Sequence, residues 1–220
     1  FDRFHSNRDT VYRVVKKGIT LDNREEYSVA VGADLGPYLQ DNLNEVKNYT
    51  RFTHQSGVVA GGNERFFEND SFFFADPSFL TIFSFSMISG KPEEALAHKD
   101  SVVLTRGYAE KYFGDQNPVG HTLHFENEAI KKPLSLKVTG VLEDIPGNTH
   151  LVFGFLASYE TLVSIYPPGT LNFNSAISTS TYLELKNSDS IKILREKDAS
   201  KYLFIYDMSR YKRLSIFFEN

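Results

Sequence analysis

From Val46 to Phe74 the chain keeps an extended texture, with Tyr49, Phe52, Val58-Val59 and Phe66-Phe67 broken by Gly57 and Gly61-Gly62-Asn63. β-branched and aromatic side chains suit a pleated surface, and a glycine-asparagine break between two such runs predicts a hairpin. Ahead of it, Val11 to Lys17 (VYRVVKK) reads as a strand, Asp22-Asn23 as a polar turn, and Tyr27 to Val31 as a second extended piece. Between these runs Asp34 is the predicted N-cap of a helix with Pro37 in its first turn. Leu35, Leu39, Leu43 and Val46 recur there at helical spacing and form one apolar stripe, which must pack on a sheet. The opening third therefore reads β-β-α-β-β.

At Asp76-Pro77 the texture changes: Asp as N-cap and Pro at the first helical position lead into Ser78 to Phe83. A domain boundary is placed near here. Ser101 to Leu104 is a short buried strand, and Thr105 caps a helix whose Tyr108, Ala109 and Tyr112 share a face before Gly114 stops it. Leu136 to Leu142 alternates as a strand that Ile145-Pro146-Gly147-Asn148 ends as a turn, and Gly140 within it signals a bulge or a close backbone approach. Tyr166 to Ser180, rich in Asn, Ser and Thr, reads as a mobile loop. Thr181 to Leu185 reads as a strand, Asp189 as the cap of a helix carrying Ile191, Leu194 and Tyr202, and Phe204 to Phe218 as one or two strands. No repeat period is present.

The 220 residues contain no Cys, so disulfides, thiolate metal sites and Cys nucleophiles are excluded, and the core must carry the fold alone. A net charge of −4 with both signs interspersed offers no basic footprint, so no nucleic-acid partner is expected. No apolar run reaches the roughly 18 to 20 residues that span a bilayer. The chain opens at Phe1 without an initiator Met, charged n-region or h-region, and reads as a soluble piece excised from a longer protein. With 19 Phe, 12 Tyr and no Trp, the aromatics are expected to build the core with Tyr at its margins; a sugar-stacking surface is the other reading.

No P-loop, GxSxG elbow, HExxH motif or complete dinucleotide-binding glycine fingerprint occurs, and Gly32-Ala33-Asp34-Leu35-Gly36 reads as a helix entry. His121 and His124 lie three apart in an extended segment, where i and i+3 point to opposite faces and cannot grip one ion. Glu143, Asp144 and His150 bring two carboxylates and an imidazole close in sequence. The adjacent pair splits across the two faces of a strand, and a solvated turn is the preferred reading. The sequons Asn48-Tyr49-Thr50 and Asn69-Asp70-Ser71 matter only in a eukaryotic secretory setting. No catalytic, cofactor-binding or metal-binding residue is assigned, no cofactor is expected, and the chain is not expected to be an enzyme.

Several phrases together resemble one family. Phe4-His5-Ser6-Asn7-Arg8-Asp9-Thr10-Val11-Tyr12-Arg13-Val14 is similar to the opening of the MacB-like periplasmic core domain of ABC transporter permeases, in the form common in Bacteroidetes. Asp76 to Phe85, Gly90-Lys91-Pro92 and Ala95-Leu96 continue the resemblance. Ser101 to Thr105, Ala109 to Asp115, Asn117-Pro118-Val119-Gly120, Val138 to Pro146 and Asn148-Thr149-His150 complete it. Asn44 stands where relatives often carry Pro, and the match fades after Lys186.

The resemblance implies an α+β fold: a porter-like α/β layer formed by the two chain ends, residues 1–75 and 159–220, with an inserted mixed α/β lobe, Sabre-like, over 76–158. The two ends should then meet on one face. It also implies a homodimeric permease at the periplasmic face of the bacterial inner membrane, driven by a cytoplasmic ATPase through membrane helices absent from this chain. Such a permease transmits ATP-driven motion to a substrate or periplasmic partner in efflux or export, in some relatives with an adaptor and outer-membrane channel. The isolated domain is expected to be monomeric. The alternative is a free-standing periplasmic ligand-binding or sensor module for peptide or glycan. An enzyme would rest on Glu143, Asp144 and His150 alone.

Overall fold

Of the glycines that interrupt the longest extended run, Gly61 and Gly62 sit where the chain reverses, while Gly57 stays inside β4 at a shift in its register with β5. In chain order the elements are β1 (Val11–Thr20), β2 (Glu25–Ser28), β3 (Ala30–Val31), α1 (Leu35–Asn42), β4 (Val46–Gly61), β5 (Glu64–Ala75), α2 (Phe79–Ile82), β6 (Met87–Ser89), α3 (Pro92–Ala95), β7 (Ser101–Thr105), α4 (Arg106–Phe113), β8 (Thr122–Glu126), β9 (Leu134–Leu142), β10 (Phe155–Ser158), α5 (Tyr159–Ile165), β11 (Thr179–Leu185), α6 (Ser190–Glu196) and β12 (Tyr211–Glu219). They come from a computed structural model that describes residues 7–62, 64–128, 130, 132–172, 177, 179–196 and 211–219. The mixed α/β chain divides into two compact units, a terminal one (Asn7–Arg51 with Pro167–Asn220) and a central one (Phe52–Tyr166), the boundary falling inside β4.

The terminal unit is built on the strand order β12-β1-β11-β4, with β2 pairing β1 and β3 pairing β11. Period-two alternation along β1 puts Tyr12 and Val14 into a core with Leu183, Leu185, Leu214, Ile216 and Phe218, against Leu35 and Leu39 of α1 and Ile191 and Leu194 of α6. β1 and β12 are antiparallel, and Arg13 lies opposite Glu219. The chain therefore enters β1 and leaves β12 at the same end of this sheet.

Three sequence expectations change here. Val46 is buried but belongs to β4: α1 stops at Asn42, and the extended backbone of Leu43 (φ −119°, ψ 106°) ends the helical stripe. The cap of α6 comes from Asn187, whose Oδ1 accepts the Ser190 amide at 3.0 Å and the Ser190 hydroxyl at 3.1 Å, rather than from Asp189. Thr179 and Ser180, expected in a loop, already belong to β11. Tyr202 and Phe204 to Arg210 lie outside the described residues.

In the central unit the strand ladders close on themselves. β4 pairs β5, β5 pairs β10, β10 pairs β7, β7 pairs β9, β9 pairs β8 and β8 returns to β4, giving a six-stranded ring with β6 added beside β9. Closure leaves fewer open strand edges than a flat sheet of the same size. The β7–β9 ladder shifts register between Val102 and Val103, opposite Gly140. A Cβ on Gly140 would lie 2.4 Å from Met87 Cε and 2.7 Å from the Ser89 carbonyl oxygen, so the strand carries both the bulge and the close approach its sequence announced.

Three consecutive phenylalanines on β5 serve opposite faces. Phe72 stacks on Phe125 at 4.1 Å and on Phe155 at 5.3 Å, and Phe74 meets Phe125 edge-on. Phe73 points the other way, stacking on Phe52 at 5.3 Å and touching Phe153, which also meets Phe79 and Phe85. Burying each such ring contributes on the order of 2 to 3 kcal/mol. Asp76 was expected to cap α2, but Ser78 is the N-cap residue, and the Asp76 carbonyl oxygen accepts from the Phe79 amide at 3.0 Å.

Candidate functional site

The residues whose sequence most suggested chemistry serve as structural ties. Glu143 bonds Arg106 at 2.5 Å, and Asp144 Oδ1 accepts the backbone amide of Gly107 at 2.9 Å. Gly107 is the second residue of α4, whose N-cap Thr105 makes no side-chain cap bond, so Asp144 caps the helix from across the fold. His121 sits just before β8 with its ring 5.5 Å from Phe113, and His124 Nδ1 lies 3.2 Å from Ser135 Oγ. Among the described residues, no three His, Asp or Glu side chains converge on a metal-sized site. In the Gly32–Gly36 stretch, the Ala33 carbonyl accepts from Arg51 at 2.8 Å and its amide donates to the Asn172 carbonyl at 3.2 Å, which fixes the entry to α1.

Polar organisation concentrates in two places. One is the face of the terminal sheet away from α1 and α6. There Arg13 bonds Glu219 at 2.5 Å and tethers β1 to β12 at the end where the chain enters and leaves. Burial pulls the Arg13 guanidinium down, but bonding to Glu219 and Tyr182 outweighs it and leaves its pKa above the ordinary value. Further along, Lys17 bonds Glu25 at 2.6 Å and lies 5.3 Å from the Tyr27 ring, which meets Phe217 edge-on. Bonding to Lys17 and then to Tyr27 holds the Glu25 carboxyl below its usual range. Tyr27 is 57% exposed.

The other place lies in the central unit, where β5 carries a carboxylate among aromatics. Glu68 is only 4% exposed. Its Oε1 accepts from Lys111 Nζ at 2.6 Å and from the Tyr112 hydroxyl at 2.5 Å, and its Oε2 accepts from Ser71 at 3.3 Å. The Lys111 ammonium also lies 4.4 Å from the Phe66 ring and 5.2 Å from that of Tyr108. Burial, reinforced by Glu68, raises the Tyr112 hydroxyl far above its ordinary value, so it stays a donor. The sequence reading missed this cluster. Its signal was present, since Glu68 follows Phe66 by two and so shares its strand face.

The family model for the MacB-like periplasmic core domain matches residues 1–197. The chain belongs to this family. Its members are periplasmic domains of ABC transporter permeases, and MacB-like domains of known structure share its fold. A permease-protein domain from Porphyromonas gingivalis superposes with a TM-score of 0.78 at 21% identity, over 98% of this chain and 91% of that one. The periplasmic region of MacB from Actinobacillus actinomycetemcomitans gives 0.61 at 15% identity, over 97% and 92%. The extracellular domain of the noncanonic ABC-type transporter YknZ from Gram-positive bacteria gives 0.64 at 14%, over 96% and 100%. No curated protein matches the sequence. Among the described residues, no helix of this MacB-like domain is long and apolar enough to cross a membrane.

Proposed function

We propose that the chain is a non-enzymatic transmission element at the periplasmic face of a bacterial inner membrane, carrying ATP-driven motion from a cytoplasmic ATPase to a substrate or periplasmic partner. The observation that carries this reading is the antiparallel β1–β12 pair, with Arg13 opposite Glu219. A domain inserted between two membrane helices needs its incoming and outgoing strands at one end, and the terminal unit has them there. In this reading the porter-like layer is residues 1–75 and 159–220, which include the whole terminal unit. The Sabre-like lobe is residues 76–158, a span that falls within the central unit Phe52–Tyr166. The engagement of Glu143 by Arg106 and of Asp144 by the Gly107 amide argues against the acid–base alternative. The working permease is a homodimer, and the isolated domain is monomeric.

The test uses the full-length permease with its ATPase in vesicles. Because the chain has no Cys, Glu93→Cys can place one spin label on each domain copy. The distance between the two labels is expected to change on adding ATP. A distance indifferent to nucleotide would sink the transmission reading, and saturable binding of a peptide or glycan by the isolated chain would then favour a binding module.

A further inference from the structure

We propose that the outer half of the β4–β5 hairpin, residues 57–62 of β4 and its turn and 64–68 of β5, is a hinged flap held shut on α4 by a latch of Glu68, Lys111 and Tyr112. This rests on the local geometry alone and stands independently of the transport reading.

The hinge is written in the ladder. Gln55 pairs Phe72 but Gly57 pairs Glu68, so two steps along β4 correspond to four along β5, and the ladder is interrupted there. A bulge of this kind bends the strand and weakens pairing locally. The Asn127 carboxamide sits at the break, donating to Gln55 Oε1 at 3.2 Å and to the Ser56 carbonyl at 3.3 Å. Below the break the hairpin is anchored in the ring, since Phe72 to Ala75 pair with β10 as well as with β4. Above it, the β4 edge is tied to β8 by three register pairs, Val58 to Ala60 against Glu126 to His124.

The latch closes the other side. Glu68 is the last paired residue before the break, and its partners Lys111 and Tyr112 are consecutive on the last turn of α4. The tip is shaped for the same seat. Gly62 has φ +57°, and a Cβ there would lie 2.4 Å from the Tyr112 carbonyl oxygen. A carboxylate that is 4% exposed is costly to keep buried as an anion once its cation is gone, so losing Lys111 favours the state in which Glu68 reaches water. Swinging about the bulge achieves this by parting β4 from β8 at Val58 to Ala60, which opens the ring at that one seam and leaves the β5–β10–β7–β9 ladders paired. Lys111 itself is 37% exposed, so solvent reaches the latch from its side.

Peptide-resolved amide hydrogen exchange on the 220-residue chain tests this, with Lys111→Met and the milder Tyr112→Phe. In Lys111→Met, exchange in residues 57–68 and 122–126 should speed up by at least about tenfold, while β7, β10 and residues 137–142 keep wild-type protection. Tyr112→Phe, which keeps the ring and loses only one bond to Glu68, should give about fivefold in the same segments. Acceleration spread evenly over the ring strands would make the cluster an ordinary core contact, and unchanged exchange in 57–68 would remove the flap; either overturns the proposal. If Lys111→Met does not fold, Tyr112→Phe decides by the same pattern.

Discussion

Asp144 accepts the Gly107 amide proton at the start of α4, from a position 37 residues later in the chain. A cap of this kind is worth about 1 kcal/mol. Asp144→Ala should therefore lower the free energy of urea unfolding by about 1 kcal/mol, while Asp144→Asn, whose carboxamide oxygen can still accept, should stay within about 0.5 kcal/mol of the parent. Equal losses in the two variants would show that charge rather than the bond matters. Sequence reasoning put Thr105 at the cap position, and Thr105 is the N-cap residue, but its side chain makes no cap bond. No local pattern names a partner that only the return of β9 brings into reach. Glu68 escaped for a related reason: its face could be read from its spacing to Phe66, but its cation comes from a helix 43 residues away.

Glycine positions separate two kinds of turn at the scale of elements. Gly114 ends α4 with φ +59°, and an added Cβ would meet nothing within 4 Å, so Gly114→Ala pays only backbone strain, about 1 kcal/mol. Gly62 at the hairpin tip combines φ +57° with the Tyr112 carbonyl 2.4 Å from the Cβ position, so Gly62→Ala should cost more, roughly 2 to 3 kcal/mol. Equilibrium urea denaturation orders the two; a cost for Gly62→Ala no larger than for Gly114→Ala would show that the tip does not sit against α4. Both glycines were legible as a hairpin break and a helix stop, because those signals are local. Val46 reads both as the end of the helical stripe and as the start of the extended run; only the second reading holds, because its helical spacing from Leu43 coincides with a burial position at the start of β4. Closure of the ring through β8 was invisible, since it rests on a pairing between residues 58–60 and 124–126 that no local pattern encodes.

For the whole molecule, the meeting of first and last strands can be trapped covalently. Lys17 and Ser215 are register partners on β1 and β12. In a chain without Cys, Lys17→Cys with Ser215→Cys should oxidise cleanly and close nearly the entire sequence into one loop, raising stability by up to about 5 kcal/mol on the chain-entropy account. Gel mobility without reductant and the urea midpoint report it; a pair that stays reduced under mild oxidant would contradict the strand register. Family membership was legible because its phrases are long and ordered, and the matched span ends at residue 197, ahead of β12. That same strand arrangement governs how the protein is made. β2 can pair Lys16 to Ile19 of β1 early, but β11 and β12 begin only at Thr179 and Tyr211, so Val11 to Arg13 on one edge and the whole β12 edge of β1 wait unpaired until those distant strands have been delivered. Folding dominated by such distant pairings runs in milliseconds to seconds, and throughout that interval the nascent Val11–Thr20 edge is what a chaperone would have to shield.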